Sequence, residues 1–246
     1  MKKLTMVLVV LLLGTFFVTG SAMALLINDR PVTLGSSNET SLQTILDTTV
    51  GTGNIDVNLD QNGTAVWTSD DFTSNAFFIA AYRGDLGVLG IYSYADPTKK
   101  YDFSFDSTGT TQFNINDAGT FFSGTDSIVG FGDAFGFYWK NTSTPLTSYT
   151  EDDKNDGDTA LSLSYLVEAG TSVYLPAFGG STQTAEGDDD WILAFEDRLT
   201  GDFDFNDAVY YVKDINAPVP EPATMLLLGF GLIGIAGASR KKLFKK

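Results

Sequence analysis

Short runs in which apolar and polar residues alternate recur along the sequence, and they restrict the possible folds more than any other feature. The clearest are residues 101–105, 135–139 and 161–167, which carry an aromatic or aliphatic side chain at every second position. Successive side chains of a β-strand point to opposite faces of a sheet, so this period of two predicts strands with one buried face. Residues 191–195 and 208–212 are apolar throughout and predict two more strands.

At least eight such strands are predicted, separated by Gly, Asn, Asp and Thr. We therefore predict an all-β fold, an antiparallel β-sandwich or jelly-roll with one short helix. The runs 76–82 and 88–94 are separated by Arg83-Gly84-Asp85, which predicts that they pair as a hairpin. Most of the aromatic residues are expected in the core rather than on a surface that stacks against sugars.

The helix is predicted near the start of the strand-rich region. Ser36-Ser37-Asn38-Glu39 has the pattern of a capping box, and Leu42, Ile45 and Leu46 follow at helical spacing. We expect an amphipathic helix from about Ser37 to Asp47, and no other helix in this region.

The residue types that are missing exclude several kinds of chemistry. The 246 residues include no histidine and no cysteine, which rules out a Ser-His-Asp or Cys-His pair, a zinc site of imidazole or thiolate ligands, and any disulfide. Residues 25–219 hold 8 basic and 30 acidic side chains, a net charge of −22. Such a region repels nucleic acid and anionic lipid and attracts cations, so no nucleic-acid partner is expected.

The first 24 residues have the pattern of a secretory signal peptide. Lys2 and Lys3 precede an apolar run from Leu4 to Val18, and the small residues Ala22 and Ala24 stand at −3 and −1 of a cut after Ala24. The alternative is a membrane anchor that is retained. We expect cleavage, and export of the region that follows.

The last 28 residues combine a proline-rich motif, an apolar stretch and a basic tail. Pro220-Glu221-Pro222 is followed by Ala223–Ser239, 17 residues that reach the lower limit for crossing ~30 Å of hydrocarbon, and then by Arg240-Lys241-Lys242. The basic tail should stay in the cytoplasm, which leaves residues 25–218 outside. We divide the chain into a signal peptide (1–24), an exported β-sandwich domain (25–218) and this terminal segment (219–246).

This terminal arrangement resembles the PEP-CTERM sorting signal of Gram-negative bacteria. The resemblance implies that an exosortase, a membrane protease or transpeptidase, processes the chain near Pro220-Glu221-Pro222 and delivers the body to the cell surface or the exterior. Bacteria with this system usually make exopolysaccharide and biofilm. A plain C-terminal transmembrane anchor is the alternative.

A dense acidic segment joins the apolar runs 191–195 and 208–212, and we call it the acidic joint. Its candidate metal ligands alternate in part with Phe203 and Phe205, so an extended backbone would place the oxygens on one face and both rings on the other. Those ligands are Glu196, Asp197, Asp202, Asp204, Asn206 and Asp207, with Asp190 just before them. Their mutual repulsion favours a bound divalent cation, and a solvated loop is the alternative. Two other acidic stretches, 58–63 and 152–163, fail as EF-hand loops.

Phe195-Glu196-Asp197 and the run 201–207, Gly-Asp-Phe-Asp-Phe-Asn-Asp, are similar to the hallmark of the domain of unknown function family 4114, which recurs in secreted calcium-rich adhesins and in PEP-CTERM proteins. The resemblance implies a β-sandwich and calcium ligation by Glu196, Asp197, Asp202, Asp204, Asn206 and Asp207, with no established enzyme activity. Phe203 departs from the pattern and removes one oxygen ligand.

Three functions follow from these observations. The first is a non-enzymatic cell-surface or matrix protein, stabilised by calcium and associated with exopolysaccharide or biofilm. The second is a calcium-dependent carbohydrate-binding module, for which Trp67, Trp139 and Tyr94 are candidate stacking residues. The third is a glycan-active enzyme, which needs a pair of carboxylates. We assign no catalytic residue, because Glu168 is the one isolated carboxylate and is expected to be solvated.

Overall fold

The fold is described from a computed structural model that defines residues 30–34, 39–69, 74–80, 87–106, 109–142, 144–176, 180–199 and 202–217. One α-helix, α1 (Leu42–Val50), lies in these residues, with two short 3-10 turns at Asp152–Lys154 and Asp156–Asp158. The strands are β1 (Trp67–Thr68), β2 (Ser74–Ala80), β3 (Gly87–Ser93), β4 (Lys100–Asp102), β5 (Thr110–Ile115), β6 (Phe121–Ser123), β7 (Asp126–Ile128), β8 (Ala134–Asn141), β9 (Thr147–Tyr149), β10 (Ser162–Val167), β11 (Ser172–Leu175), β12 (Ser181–Thr184), β13 (Asp190–Phe195) and β14 (Ala208–Lys213).

These strands form two large sheets and one small one. The order in the larger sheet is β10-β13-β14-β2-β5-β6-β7, and the order in the second is β1-β8-β3-β4, with β9 also paired to β8. Strands β11 and β12 form a separate hairpin. Every strand pair is antiparallel, which confirms the predicted antiparallel β architecture with one short helix for the described residues.

The seven-stranded sheet is the middle layer of the molecule. Trp191, Leu193 and Phe195 of β13 lie in an apolar cluster shared with the five-stranded sheet, whereas Ile192 and Ala194 lie in a second cluster with α1 and the β11–β12 hairpin. Strands β13 and β14 are therefore buried at every position. A strand covered on both faces has no solvent-facing position for polar residues, which explains why these two runs are apolar throughout.

The helix is present but begins later than predicted. Ser41 is its N-cap and accepts a hydrogen bond from the backbone N–H of Thr44, at 3.3 Å, and the helix ends at Val50 before Gly51, whose φ is +91°. Glu39 lies outside the helix, so the predicted capping box is wrong. Ser41 immediately precedes the first buried position, Leu42, and a serine there caps the helix as well as an earlier one would.

The predicted hairpin between residues 76–82 and 88–94 is also wrong. Both strands exist, but β2 pairs with β14 and β5 in the seven-stranded sheet, and β3 pairs with β8 and β4 in the other sheet. An apolar run can be buried in either sheet, and a turn-forming sequence permits a crossing between sheets as readily as a tight hairpin.

Three predicted features lie outside the described residues: the signal peptide with Ala22 and Ala24, the Pro220-Glu221-Pro222 motif, and the apolar stretch before Arg240-Lys241-Lys242. Within the described part of the chain, no helix has both the length and the apolar character needed to cross a membrane.

Candidate metal centre

The acidic joint connects β13 and β14, two neighbouring strands of the seven-stranded sheet. Strands β13 and β14 are antiparallel, and their last paired residues at this end are Phe195 and Ala208. Glu196 follows the first of these and Asp207 precedes the second, so the two carboxyl groups continue the register and lie beside each other. The backbone N–H of Asp197 donates to Oδ2 of Asp207 at 2.8 Å and closes this end of the strand pair.

Glu196 is the most deeply placed of these acids. Its backbone is fixed by two contacts, an N–H that donates to the carbonyl of Leu161 at 3.0 Å and a carbonyl that accepts from Oγ of Ser148 at 2.7 Å. The residue is 0% exposed, yet neither carboxylate oxygen accepts a hydrogen bond from any described residue. A buried carboxylate without donors is strongly disfavoured, because nothing replaces the water that it loses.

Three carboxylates meet at this point, and we call Glu196, Asp197 and Asp207 the Glu196 triad. One oxygen of each lies within 4.8 Å of one oxygen of the other two. Asp197 has donors from outside the triad: Nδ2 of Asn141 donates to its Oδ2 at 3.2 Å, and Nε of Arg198 lies 3.4 Å from its Oδ1. The Arg198 side chain is 57% exposed, so it supplies only a weak, solvent-screened charge.

The ionisation of these acids reflects their burial. Burial, followed by the charges of Asp207 and Asp204, raises the pKa of Glu196 to about 8. Burial, followed by the charge of Asp197, raises the pKa of Asp207 to about 7, against the opposing effects of the Asp197 N–H and of a hydrogen bond from the Glu196 carboxyl group when Glu196 is protonated. Without a cation, Glu196 therefore carries a proton near neutral pH, and a bound cation would replace that proton.

A second group of acids lies on the same joint, and we call Glu39, Asp202 and Asp204 the Asp204 triad. Their closest oxygens also lie within 4.8 Å of one another. Burial raises the pKa of Asp204 to about 6, with the N–H of Asn206 opposing the rise. Asp202 is exposed and Asp204 is buried, so this group opens towards solvent on one side.

Asn206 ties the joint to the segment before the helix. Its Nδ2 donates to the carbonyl of Thr40 at 3.0 Å and to Oδ2 of Asp204 at 2.8 Å, and the N–H of Thr33 donates to the carbonyl of Phe203 at 3.1 Å. Because these hydrogen bonds hold the segment before the helix against the joint, Glu39 lies beside Asp202 and Asp204. Sequence reasoning missed Glu39, because it read that residue as part of a helix cap, and only its acidic type pointed to a ligand role.

The backbone of the joint is not extended, contrary to the prediction from alternation. Phe203 and Phe205 have φ of +54° and +53°, in the left-handed region that non-glycine residues rarely adopt. The rings nevertheless face inwards together: Phe205 is buried, Phe203 is partly buried, and both contact the apolar cluster beneath α1. The two phenylalanines therefore anchor the joint to the core as expected, through a coiled rather than a straight backbone.

The structure thus divides the six predicted ligands between the two triads. Three form the Glu196 triad, and Asp202 and Asp204 belong to the Asp204 triad. Asn206 lies beside the Asp204 triad and donates to Asp204. Asp190 does not join either group. It starts β13, at the opposite end of the strand, where its closest acidic neighbours are Asp189 and Asp214.

Two of the three predicted sugar-stacking residues are inaccessible. Trp67 and Trp139 are buried in the layer between the two large sheets, and only Tyr94 is exposed, at 54%. Glu168 is exposed, as expected for a solvated carboxylate.

The joint offers oxygen ligands from carboxylates, and hard cations such as Ca²⁺ and Mg²⁺ prefer such ligands. Calcium takes 6 to 8 oxygens in flexible geometry, which suits an irregular loop with several carboxylates. The buried Glu196 carboxylate fits this chemistry because a cation would supply the partner that no described donor provides.

Residues 218–241 match the PEP-CTERM protein-sorting motif. The motif implies an exported exosortase substrate whose C-terminus is held in the membrane before sorting. The chain matches no curated protein significantly. The similarity of the acidic joint to the domain of unknown function family 4114 stays a prediction.

Proposed function

We propose that the exported region is a non-enzymatic protein of the cell surface or extracellular matrix, stabilised by calcium at the acidic joint and associated with exopolysaccharide in biofilm. The observation that carries the calcium part is Glu196, fully buried with both carboxylate oxygens unpartnered among the described residues and two further carboxylates beside it. A cation that binds only the folded chain stabilises it by mass action.

The position of Glu196 also supports a structural rather than a catalytic role. A glycosidase needs two carboxyl groups that reach the bond to be cleaved. Glu196 and Asp207 are adjacent and have raised pKa values, which a catalytic pair could use, but Glu196 has no exposed surface that a substrate could contact. Release of reducing ends from the host's own exopolysaccharide by the purified chain would overturn the non-enzymatic role.

Thermal unfolding of the full chain in detergent, with calcium and with chelator, tests the calcium site. At free calcium about 100-fold above Kd, the gain in unfolding free energy is about 2.7 kcal/mol, which raises the midpoint by about 5–10 °C for a chain of this size. Parallel scans with magnesium measure the selectivity. Equal midpoints in calcium and chelator would remove the joint from any metal role.

Two variants locate the effect. Glu196→Gln keeps the shape of the side chain and removes its charge, and we expect the calcium-dependent rise in midpoint to be lost. Glu168→Gln makes the same chemical change at an exposed position, and we expect the full rise to remain. A calcium-dependent rise that survives Glu196→Gln would place the ion elsewhere in the chain.

A further inference from the structure

A polar cleft lies at the β5–β6–β7 end of the seven-stranded sheet, opposite the β10 edge. Strand β4, at the edge of the five-stranded sheet, contributes to its wall. Its volume is about 680 Å³, within the range of small-molecule binding sites. It is lined by Tyr101, Ser104, Asp106, Thr110, Thr111, Gln112, Ser123, Gly124, Thr125 and Asp126.

The cleft forms because β5 extends beyond the residues that pair with β6. Strand β5 pairs with β6 only at Asn114 and Ile115, so Thr110–Phe113 have no paired strand on that side among the described residues. The β6–β7 hairpin turns at Gly124, whose φ is +58°, and Oγ of Ser123 donates to the carbonyl of Gln112 at 2.9 Å. The hairpin tip and the first half of β5 thus form two walls of the opening.

Tyr101 forms an aromatic platform in this cleft. Its ring contacts Phe103 and Phe121 behind it, with centroid distances of 5.7 and 5.0 Å, and its hydroxyl donates to Oδ2 of Asp126 at 3.0 Å. The side chain is partly exposed, so the ring is held in place from behind and at its tip while part of its surface stays accessible. A fixed, half-exposed ring can stack against an apolar face of a ligand with little loss of side-chain entropy.

The other lining groups define the chemistry of that ligand. Hydroxyl, amide and carboxylate groups surround the ring, and none of the described residues that line the cleft is a lysine or an arginine. Asp106 and Asp126 disfavour an anionic ligand, but they accept hydrogen bonds from hydroxyl donors.

We propose that this cleft binds a neutral oligosaccharide, with one sugar face on the Tyr101 ring and sugar hydroxyls hydrogen-bonded to Asp126 and Gln112. Sugars combine apolar faces with many hydroxyl groups, which is the combination that the lining residues match. The inference deepens the proposed association with surface glycans and rests on it. It does not involve the acidic joint, which lies at the β13–β14 end of the same sheet.

The test is binding of the full chain to an array of neutral oligosaccharides and uronic-acid oligomers, in chelator and below the melting midpoint. We expect neutral oligosaccharides to bind and uronic-acid oligomers to bind at least tenfold more weakly. Tyr101→Ala should reduce affinity by about tenfold or more, and Tyr101→Phe, which keeps the ring and its packing on Phe121, by less. Tyr174→Ala is the matched control, a tyrosine 39% exposed and outside the cleft, and should leave affinity unchanged.

Three outcomes would overturn the inference: no binding of any neutral oligosaccharide, preferential binding of uronic-acid oligomers, or unchanged affinity in Tyr101→Ala and Asp126→Ala variants that retain the wild-type melting midpoint. In the last case glycan association stands and the cleft is wrong. A further outcome is that glycan binding depends on Tyr101 while the melting midpoint does not change with calcium. That result supports the glycan cleft and rules out only the calcium site.

Discussion

The two ends of the β13–β14 pair both bury an acid, and they treat it in opposite ways. Asp190, at one end, is 0% exposed, and its carboxylate accepts from the Tyr211 hydroxyl at 2.5 Å and from the N–H of Asp214 at 3.3 Å. Glu196, at the other end, is equally buried and accepts no hydrogen bond from any described residue. The same two strands therefore carry one buried acid that accepts hydrogen bonds from other residues and one that accepts none from the described residues.

The anchoring of the two ends also differs. Two phenylalanines with positive φ tie the acidic joint to the cluster beneath α1. At the Asp190 end, Nε1 of Trp191 donates to the carbonyl of Ile215 at 3.0 Å, and the N–H of Ile215 donates to the carbonyl of Asp189 at 3.0 Å. The Asp190 end is therefore held by hydrogen bonds, whereas the acidic joint combines ring packing with hydrogen bonds to the segment before the helix.

The largest expected effect is at the aromatic anchor. Phe205→Ala removes a buried ring and should lower the free energy of unfolding by about 3–5 kcal/mol. Because the ring positions the joint, calcium affinity should fall as well. Denaturant unfolding measures the first quantity and a calcium titration the second. A destabilised variant with unchanged calcium affinity would show that the joint is set by its hydrogen bonds alone.

The pH dependence of stability without metal is the next largest expected effect. The pKa of Glu196 is raised from 4.5 to about 8, so the folded chain holds this proton more tightly than the unfolded chain. The contribution is fully present in acid and is lost as pH rises from about 4.5 to about 8. Burial raises the pKa of Asp190 as well, so the part of the decline that belongs to Glu196 is the part that calcium removes. We expect chelator melts to show this decline and calcium melts to lack most of it. A decline of equal size in calcium and in Glu196→Gln would assign it to other groups.

A smaller effect is expected from the satisfied acid. Asp190→Ala leaves the Tyr211 hydroxyl buried without its acceptor and should destabilise the fold by about 1–3 kcal/mol. The loss should be the same in calcium and in chelator, because this end contributes no ligand. A loss that appears only in calcium would make Asp189, Asp190 and Asp214 a metal site and remove the contrast between the two ends.

The smallest effect is expected at Asn141, which donates to Asp197 from β8. Asn141→Ala removes this hydrogen bond and the one that Oδ1 of Asn141 accepts from the N–H of Thr144, and it leaves Glu196 unchanged. We expect a loss of about 0.5–1.5 kcal/mol in unfolding free energy and a modest fall in calcium affinity. Isothermal titration calorimetry measures the affinity change. Affinity as low as that of Glu196→Gln would show that Asp197 is the dominant ligand.

Sequence reasoning succeeded where a local pattern determines the structure. The bounds of β13 and β14 were predicted to within one residue, since burial on both faces leaves an uninterrupted apolar run. The structure brings three of the predicted ligands together because they directly extend this strand pair or follow it.

Sequence reasoning failed where contacts between distant segments determine the local structure. Nothing near Glu39 in the sequence shows that the N-terminal segment docks on the joint, because the contacts of Thr33 and Thr40 are made with residues far along the chain. The positive φ of Phe203 and Phe205 was equally hidden, since alternation normally predicts an extended backbone and tertiary packing overrides that preference here. The sheet assignment of β2 and β3 is a third such case, because both runs are apolar and either sheet could accept them.

The sorting motif follows the last described β-bridge after only one residue in the sequence, and this has a mechanical consequence. The chain is still bridged to Thr68 at Asn216, and the motif begins at residue 218. While the C-terminus is held in the membrane, tension on it passes through that bridge into β14. This strand is paired on both sides, with β13 and β2, and its hydrogen bonds run perpendicular to the strand. A pull along β14 therefore acts on both ladders at once, so the tethered body resists extraction by shear rather than unzipping bond by bond.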